Sequence, residues 1–389
     1  MSNKRKICVI TGTRAEYGLL SLTMQKISYS KYLELGLVVT GSHLSKDLGE
    51  TVTEIEKDGF EIDFKMPILN INDTSTDILC SMSEVLKQLP EFLTRFRPDL
   101  ILVLGDRYEI FACVSVALIF NIPVAHIHGG ELTEGAFDDA MRHAITKMSH
   151  IHFTTNREHT NRVIQMGENQ DYVFNVGAPG VENIKSISLL SKEEIESLVG
   201  ISFRKRNYLI TYHPETLNQS ISPERQIQGL LAAFDELEDS TFIFTKANSD
   251  PGGISINSKI QEFVSKNPTN SCLHSSLGQL NYLSMMRHCT GVIGNSSSAL
   301  IETPTLKKGA INIGSRQNNR MRSKNIIDCG NSKEEIKKSL SVLNSKRFQD
   351  SLVEIENPYD GGDTSKQIVD ILTSKSLDSI LIKKFVDIH

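Results

Sequence analysis

Residues 101–143 read ILVLGDRYEIFACVSVALIFNIPVAHIHGGELTEGAFDDAMRH, which has the pattern of a strand, an acidic turn, a helix, a second strand, a polar loop and a second helix. The two apolar runs, Leu100–Leu104 and residues 122–127, have the β-branched content of buried parallel strands. Each run stops abruptly in polar residues. The stretch therefore predicts two successive strand–helix units of a parallel sheet.

Titratable side chains crowd the ends of these two predicted strands. Asp106 follows the first strand, and the end of the second strand and the segment after it carry His126, His128, Glu131, Glu134, Asp138, Asp139 and His143. In open α/β sheets, ligands bind at the carboxyl ends of the strands. A cluster of carboxylates and imidazoles at that edge indicates acid–base chemistry more than a structural role.

The composition limits the class of protein. The length of 389 residues favours two domains, and a formal net charge of −5 argues against a general nucleic-acid-binding protein. No apolar run approaches the ~20 residues that a membrane-spanning helix needs. The start, MSNKRKICVITG, lacks the apolar region of a signal peptide. We therefore expect a cytoplasmic enzyme without nucleic-acid or membrane partners.

Cysteine and histidine residues are not spaced as metal ligands. None of the six cysteines pair at ligand spacing, and Cys8 and Cys113 lie in apolar runs, so buried free thiols are expected. The histidines that could form a metal site are His43, His126, His128 and His143. Their spacing matches neither HxxxH nor HExxH. We predict no metal and no cofactor.

The rest of the chain repeats strand–helix units in two series. The first begins with KICVITGT at residues 6–13, and the second begins with NYLITYHPE at residues 207–215. Residues 181–206 between them are charged and Ser-rich, and we place the domain junction there. Repeated units of this kind require parallel sheets. The expected fold class is α/β, with two Rossmann-like domains facing across a cleft.

The predicted domain boundaries follow from this pattern. Residues 1–180 form the N-terminal domain, which carries the carboxylate cluster, and residues 200–373 form the C-terminal domain. A tail at about 374–389 is expected to pack back on the first domain.

Two strand-to-helix turns are candidates for anion binding. Gly12-Thr13-Arg14-Ala15-Glu16 lacks two glycines of the dinucleotide fingerprint, but free backbone N–H groups and an arginine suit a phosphate; a plain helix start explains it equally well. Gly294-Asn295-Ser296-Ser297-Ser298 is the counterpart in the second series, with Glu302 after it. Capping of the helix explains one of the three serines but not all of them. We therefore favour a ligand pocket in which the serines bind an anion and the Glu302 carboxylate binds the hydroxyls of a ribose.

Two further residues of the second series lie beside these turns. His213, in TYHPE, ends the first strand, and a structural and a ligand-binding histidine are equally compatible with that place. Arg316 follows the GAINIGS strand. A residue that closes over a bound phosphate and a charged residue of an exposed loop are both compatible with this position.

Seven segments occur in the same order in one known family: GTRAEYG, VLGDRYE, HIHGGE, FDDAMRHAITK, TYHPET, IGNSSSALIE and INIGSRQNNR. From Lys6 to about Gly361, the chain resembles the hydrolysing UDP-N-acetylglucosamine 2-epimerases of bacterial sialic acid synthesis. The resemblance implies elimination of UDP to a glycal, followed by hydration to N-acetylmannosamine. Relatives that act on a diacetamido-trideoxy sugar nucleotide, in legionaminic acid synthesis, share almost all of these motifs, so both substrates stay open.

The resemblance also implies roles for individual residues. Glu302 would bind the ribose, Ser296 and Ser297 the diphosphate, and Arg14, His213 and Arg316 the phosphate charge. The other residues expected to bind substrate or UDP are His43, Arg142, Gly294 and Ser298. The family further implies a glycosyltransferase-B arrangement, a homodimer, and UDP-sugar and UDP as ligands.

Asp106 and Asp138 match carboxylates regarded as catalytic in the family. Where several relatives carry HIEGGE, this chain has HIHGGE at residues 126–131, so His128 or Glu131 replaces the glutamate. We expect Asp106 with Glu131 or His128 to handle the C2 proton and Asp138 to position water. Glu134 completes the candidate catalytic set.

Other activities fit parts of this pattern. A non-hydrolysing epimerase would return a UDP-sugar, but the IHGGE and GNSSS segments argue against it. A retaining glycosyltransferase of the same fold leaves the carboxylate cluster of the first domain unexplained. A nucleotide-binding sensor would bind UDP without consuming a UDP-sugar. We therefore favour the hydrolysing epimerase.

Overall fold

The computed structural model describes residues 4–45, 49–69, 74–133, 136–215, 221–247 and 252–387. They divide into two compact units. Unit 1 holds the described residues of Met1–Glu131, Asp138–Asn183 and Tyr359–His389, and unit 2 holds those of Leu132–Phe137 and Ile184–Pro358. Among the described residues, none of the helices has the length and apolar content required to cross a lipid bilayer.

The described part of unit 1 contains a sheet of seven strands. They are β1 (Arg5–Thr11), β2 (Leu33–Thr40), β3 (Phe64–Met66), β4 (Leu100–Leu104), β5 (Val124–Ile127), β6 (Ile151–Thr154) and β7 (Val173–Asn175). Their order is β3-β2-β1-β4-β5-β6-β7, and all neighbours run parallel. The two strands predicted from residues 101–143 are β4 and β5, and both are confirmed. The second one begins at Val124 because Pro123 has no N–H to donate.

Helices follow most of these strands. They are α1 (Arg14–Ser28), α2 (Val52–Lys57), α3 (Ser75–Phe96), α4 (Tyr108–Ile119), α5 (Asp138–Met148), α6 (Arg157–Gln165) and α7 (Pro179–Ser186), the last of which crosses the boundary between the units. Short 3-10 turns occur at Gly41–Leu44 and Gln170–Tyr172.

Apolar cores cover both faces of this sheet. Ile7 and Val9 of β1 contribute to one buried cluster, and Cys8 and Ile10 contribute to the other. Successive strand residues point to opposite faces, so this division shows that β1 is buried on both sides. A continuous apolar run, rather than an alternating one, is the sequence pattern of such a strand.

Unit 2 repeats the architecture with six strands in its described part. They are β8 (Arg206–Thr211), β9 (Ser240–Thr245), β10 (Ser271–His274), β11 (Gly291–Gly294), β12 (Gly309–Ile313) and β13 (Ile326–Cys329). Their order is β10-β9-β8-β11-β12-β13, again all parallel. The helices are α8 (Lys192–Val199), α9 (Pro223–Phe234), α10 (Gly253–Lys266), α11 (Gly278–His288), α12 (Ser298–Ile301), α13 (Lys333–Leu343) and α14 (Lys346–Ser351), followed by a 3-10 turn at Leu352–Glu354. The predicted class, two parallel-sheet α/β domains, is confirmed.

The last helix, α15 (Thr364–Ser374), belongs to unit 1. We had assigned residues up to 373 to the second domain, but the chain already returns at Tyr359. The return is fixed by Glu182 of α7, whose carboxylate accepts hydrogen bonds from Ser365 N and Ser365 Oγ, both at 2.6 Å. The helix then packs against α1.

Each sheet has one switch point, at which the strand order reverses. It lies between β1 and β4 in unit 1, and between β8 and β11 in unit 2. Ligands of open α/β sheets bind at the carboxyl ends of the strands at such switch points. The topology thus brings together the turns after β1 and β4 in unit 1, and the turns after β8 and β11 in unit 2.

Candidate active site

The carboxylates of unit 1 converge on Arg142. This buried residue of α5 donates from Nη1 to Glu131 Oε2 at 3.1 Å and to the main-chain oxygen of His128 at 3.2 Å, and from Nη2 to Asp106 Oδ2. Burial disfavours the charged form of Arg142. The neighbouring carboxylates of Asp106 and Glu131 outweigh this effect, so that the pKa of Arg142 is raised. We had expected Arg142 to bind substrate. The structure instead pairs it with the two carboxylates.

Glu131 lies at the centre of a polar cluster. Its Oε1 accepts a hydrogen bond from Thr155 Oγ1 at 3.2 Å and lies 3.4 Å from His128 Nδ1 and 3.9 Å from His159 Nδ1. Only 2% of its side chain is exposed, against 19% for Asp106. Asp106 is therefore the carboxylate that a ligand can reach, and Glu131 organises the groups around it. Sequence reasoning missed Thr155 and His159, which follow β6 and carry no pattern that marks them.

His128 has an unusual backbone conformation. Its φ of 70° lies in the left-handed region, which residues other than glycine rarely adopt. Such strained residues cluster at functional sites. The structure brings His128 and Glu131, the two candidates for the family glutamate, to within 3.4 Å of each other.

The start of α5 supplies another carboxylate. Asp138, in the first turn, is buried and lies one helical turn before Arg142, so the two residues share a helix face. Asp139 points differently and lies 3.4 Å from His143 Nε2. Glu134 lies outside the described residues. Within the described ranges, no group of three or more His, Cys, Asp or Glu side chains is arranged to hold a metal ion.

Two of the candidate histidines, His126 and His43, are fully buried and form hydrogen bonds inside unit 1. His126 Nε2 donates to Gly105 O at 2.7 Å, and burial lowers the pKa of this imidazole to about 3. His43 lies 3.1 Å from Thr11 Oγ1 and 2.8 Å from Thr51 Oγ1, and burial lowers its pKa to about 4. Both rings are therefore neutral near pH 7. We had placed His43 among the ligand-binding residues, but the structure gives both of its nitrogens to threonine hydroxyls.

Two backbone N–H groups of the turn after β1 donate hydrogen bonds within the turn itself. Gly12 N and Thr13 N donate to Glu16 Oε2 at 2.7 and 3.2 Å, and Glu16 N donates to Thr13 Oγ1 at 3.2 Å. This is a capping box, and its T-x-x-E signal is visible in the sequence. Of the two interpretations that the sequence left open for this turn, these hydrogen bonds favour the plain helix start. The Arg14 side chain, whose Nε lies 2.7 Å from Glu54 Oε2, stays a predicted phosphate-binding group.

In unit 2, Asn295 joins the turns after β8 and β11. Its Oδ1 accepts from His213 N at 2.7 Å, and its Nδ2 donates to His213 O at 2.8 Å. Gly294 before it has a φ of 141°, and a Cβ there would lie 1.9 Å from Thr211 O, so only glycine fits. The strand end that carries His213 is thereby fixed against the serine-rich turn.

Glu215 and Gln317 hold Arg316 at the same edge. Glu215 Oε1 accepts from Ser315 N at 2.6 Å and from Arg316 N at 3.3 Å, and Gln317 Nε2 donates to Asn295 O at 2.8 Å. The Arg316 side chain itself reaches Asn295 O at 3.4 Å. Sequence reasoning gave no role to Glu215, Asn295 or Gln317, because a buried polar network has no periodic signal.

The serine-rich turn leads to a partly buried carboxylate. Ser298 Oγ donates to Glu302 Oε2 at 2.7 Å and lies 3.0 Å from the Tyr282 hydroxyl. Burial raises the pKa of Glu302 to about 7. Ser297 occupies the N-cap of α12, but within this described turn its side chain makes no cap hydrogen bond. Capping therefore does not explain the serines.

Arg320 of unit 2 is also buried. Arg320 donates to the main-chain oxygen of Leu132 and, from Nη2, to Thr133 Oγ1 at 2.7 Å. It anchors the described start of the segment that follows Glu131.

Comparisons with known proteins show to which family the chain belongs. Residues 25–373 match the family model described as UDP-N-acetylglucosamine 2-epimerase. The chain is 41% identical to a GDP/UDP-N,N'-diacetylbacillosamine 2-epimerase (hydrolyzing) of Campylobacter jejuni, over 99% of this chain and 100% of the relative. It is 40% identical to polysialic acid biosynthesis protein P7 of Escherichia coli, over 91% and 90%.

A more distant relative and a solved structure extend the comparison. A UDP-N,N'-diacetylbacillosamine 2-epimerase (hydrolyzing) of Legionella pneumophila is 34% identical over 98% of both chains. The crystal structure of UDP-GlcNAc 2-epimerase from Neisseria meningitidis bound to UDP-GlcNAc has the same fold, with a TM-score of 0.78 and 19% identity over 94% of this chain and 99% of that one. The chain belongs to the UDP-N-acetylglucosamine 2-epimerase family.

Proposed function

We propose that the protein converts UDP-N-acetylglucosamine and water to N-acetylmannosamine and UDP. The observation that carries the proposal is the Asp106–Arg142–Glu131 arrangement, in which one buried guanidinium holds two carboxylates and leaves only Asp106 accessible. An accessible carboxylate at the carboxyl end of a strand is the group that proton abstraction from a sugar requires.

Two steps describe the reaction. In the first, Asp106 takes the proton from C2, the C1=C2 double bond forms, and the C1–O bond breaks so that UDP leaves with the bonding electrons. In the second, water adds its hydroxyl to C1 and gives its remaining proton to Asp138, which orients it, while a proton returns to C2 from the opposite face. His128, whose Nδ1 faces Glu131, supplies that proton from Nε2. Exchange with solvent then removes the protons from Asp106 and Asp138 and restores the one on His128. A positioned acid or base of this kind contributes ~10²–10⁴ in rate.

The groups of unit 2 suit the nucleotide. Glu302 accepts hydrogen bonds from the ribose hydroxyls, and Ser296 and Ser297 donate to the diphosphate. His213 and Arg316 are proposed to neutralise the phosphate charge, and Arg14 is a further proposed phosphate-binding residue. Preorganised donors of this kind stabilise the charge of the departing group without reorganising during the reaction.

A second substrate is favoured by one specific observation. The 41%-identical Campylobacter relative and the 34%-identical Legionella relative are named for N,N'-diacetylbacillosamine nucleotides, whereas the 40%-identical Escherichia relative is named for polysialic acid. The same two steps apply to UDP-2,4-diacetamido-2,4,6-trideoxyglucose, because the chemistry occurs at C1 and C2 and the second sugar differs at C4 and C6.

A proton NMR time course in D₂O tests the proposal with each sugar nucleotide in turn. Free UDP together with N-acetylmannosamine deuterated at C2 is the expected result for the first sugar. Turnover of the second sugar alone keeps the mechanism and changes the substrate. A deuterated sugar that still carries UDP would show a non-hydrolysing epimerase, and no change with either sugar would overturn the proposal.

A further inference from the structure

Two buried glutamates lie against Gly12, outside the Arg142 cluster. Glu16 of α1 and Glu109 of α4 are 5% and 1% exposed. Glu16 Oε2 accepts the N–H groups of Gly12 and Thr13. Glu109 Oε1 accepts from Arg107 Nε at 3.1 Å, and a Cβ on Gly12 would lie only 2.7 Å from that oxygen. The two carboxyl groups therefore meet at one glycine, between the turns after β1 and β4.

The remaining oxygen of each group lacks a hydrogen-bond partner. Glu16 Oε1 and Glu109 Oε2 are both buried, and neither has a donor among the described residues. A buried carboxylate that carries a full charge normally has its oxygens hydrogen-bonded, and two such charges beside one another are unfavourable. A proton on the pair removes one of the two charges.

Among the described residues, Arg107 is the cation that contacts the pair. Arg107 contacts Glu109 directly, and Arg14 of α1 is paired with Glu54 of α2. Cys113, the neighbouring thiol of α4, stays neutral because burial raises its pKa well above the usual value. Burial and the nearby Glu109 raise the pKa of Glu16 to about 8, although Arg107 and the N–H groups of Gly12 and Thr13 act against them.

We propose that Glu16 and Glu109 hold one proton between them, and that this singly charged pair positions the two turns that carry Arg14 and Asp106. The pair touches no substrate and acts through Gly12, Thr13 and Arg107. Loss of the proton would place a second negative charge beside Gly12. The turns would then lose the arrangement in which Asp106 meets the sugar. This role rests on the proposed function.

Infrared spectroscopy of the unliganded protein tests the shared proton without any substrate. In D₂O at pH 7, we expect a protonated carboxyl band in the wild-type protein that is weakened or absent in Glu16→Gln and in Glu109→Gln. The wild-type band should disappear with a midpoint near pH 8. The surface variant Glu84→Gln is the matched control and should keep it. A wild-type spectrum without a band that depends on Glu16 and Glu109 would overturn the inference.

The pH profile of kcat/KM tests the positioning role. Because the pair loses its proton near pH 8, wild-type kcat/KM should fall about tenfold between pH 7 and pH 9. In Glu109→Gln the neutral amide replaces one carboxyl group, so the pair cannot acquire a second negative charge. The decrease in kcat/KM between pH 7 and pH 9 should then be less than about twofold. An unchanged tenfold fall in that variant contradicts the role. If Glu109→Gln does not fold, Glu16→Gln is measured in the same way with the same expectation.

The two measurements separate this inference from the proposed function. A protonated pair in a protein that consumes neither UDP-sugar would refute the function and leave the shared proton standing. Turnover of a UDP-sugar by a protein without the infrared band would refute the shared proton alone.

Discussion

The side chain of Asn295 bonds both main-chain polar groups of His213, one at 2.7 Å and the other at 2.8 Å. The two hydrogen bonds of Asn295 thereby continue the contact between neighbouring strands beyond the ends of β8 and β11. This pairing holds the histidine turn and the serine turn of unit 2 in a fixed relation, which is what a preformed nucleotide pocket requires.

Asn295→Ala removes this pairing. We expect the free energy of unfolding to fall by ~1–3 kcal/mol, because polar groups of the two turns lose their partners. UDP should bind about tenfold more weakly, since the donors of the two turns are no longer aligned. Urea denaturation and calorimetric titration with UDP measure the two effects. Asn267→Ala, which removes a bond to Phe263 O only, is the control. An unchanged affinity for UDP would show that the pairing does not shape the pocket.

Asp106→Asn tests the proposed base. The amide keeps the size of the side chain but cannot accept the C2 proton, so turnover should fall by ~10²–10⁴. Binding of UDP should stay within about twofold, because UDP meets unit 2 in our proposal. Steady-state kinetics and calorimetry check both values, with the exposed Asp99→Asn as the control. A variant that keeps full turnover at saturating substrate would rule out Asp106 as the base.

Arg142→Met tests the guanidinium that joins Asp106 and Glu131. The substitution leaves the buried Glu131 carboxylate without its strongest partner, and removing one member of a buried ion pair costs about 3–5 kcal/mol of stability. Urea denaturation at pH 7 measures this loss. Arg95→Met on the exposed face of α3 should cost less than about 0.5 kcal/mol. Equal, small losses in both variants would mean that the buried cluster contributes no stability.

Glu302 should make nucleoside binding depend on pH. Burial raises the pKa of this carboxyl to about 7, and only the ionised form offers a full charge to the ribose hydroxyls. The Kd of uridine, which has no titrating phosphate, should therefore rise about tenfold when the pH falls from 8 to 6. Calorimetric titration measures it. Glu302→Gln should bind weakly at both pH values, and the exposed Glu238→Gln should follow the wild type. A wild-type Kd that does not change with pH would exclude this role of Glu302.

Glu168 anchors the C-terminal segment of unit 1. Burial opposes its charge, but contacts with His152, Lys147 and Lys383 lower its pKa to about 2. The carboxylate accepts from Lys147 Nζ at 2.6 Å and lies 2.7 Å from Lys383 Nζ. A carboxyl group whose pKa is lowered on folding stabilises the protein above its unfolded pKa of about 4.5, and the stabilisation is lost as the pH falls through about 2.

Glu168→Gln should consequently reduce the free energy of unfolding by about 3 kcal/mol at pH 7. The difference from the wild type should shrink steadily between pH 4.5 and pH 2, since the wild-type carboxyl then takes up its proton. Urea denaturation across this pH range gives the comparison. Glu158→Gln, on the exposed surface of α6, should have no such pH-dependent effect. A constant difference at all pH values would show that charge is not the cause.

The sequence was sufficient for the features that depend on local patterns. Apolar runs predicted β4 and β5, and the polar residues after them located Asp106 at the carboxyl end of β4. The burial of His43 could not be predicted, because Thr11 and Thr51 come from separate elements. The contacts of Asn295 with His213 and of Glu215 with Arg316 join distant parts of the chain in the same way. The capping box of Thr13 and Glu16 was visible in the sequence, and the phosphate interpretation of that turn overlooked it.

The return of α15 to unit 1 has a consequence for the order in which the protein is made. Most of unit 2 is contiguous, so a ribosome delivers all of Ile184–Pro358 before it delivers the helix that covers α1. Until that helix has been made, the apolar surface that Ile368 and Leu372 will bury stays open. The core of unit 1 can therefore be completed only after the whole of Ile184–Pro358 has been synthesised, although unit 1 contains β1.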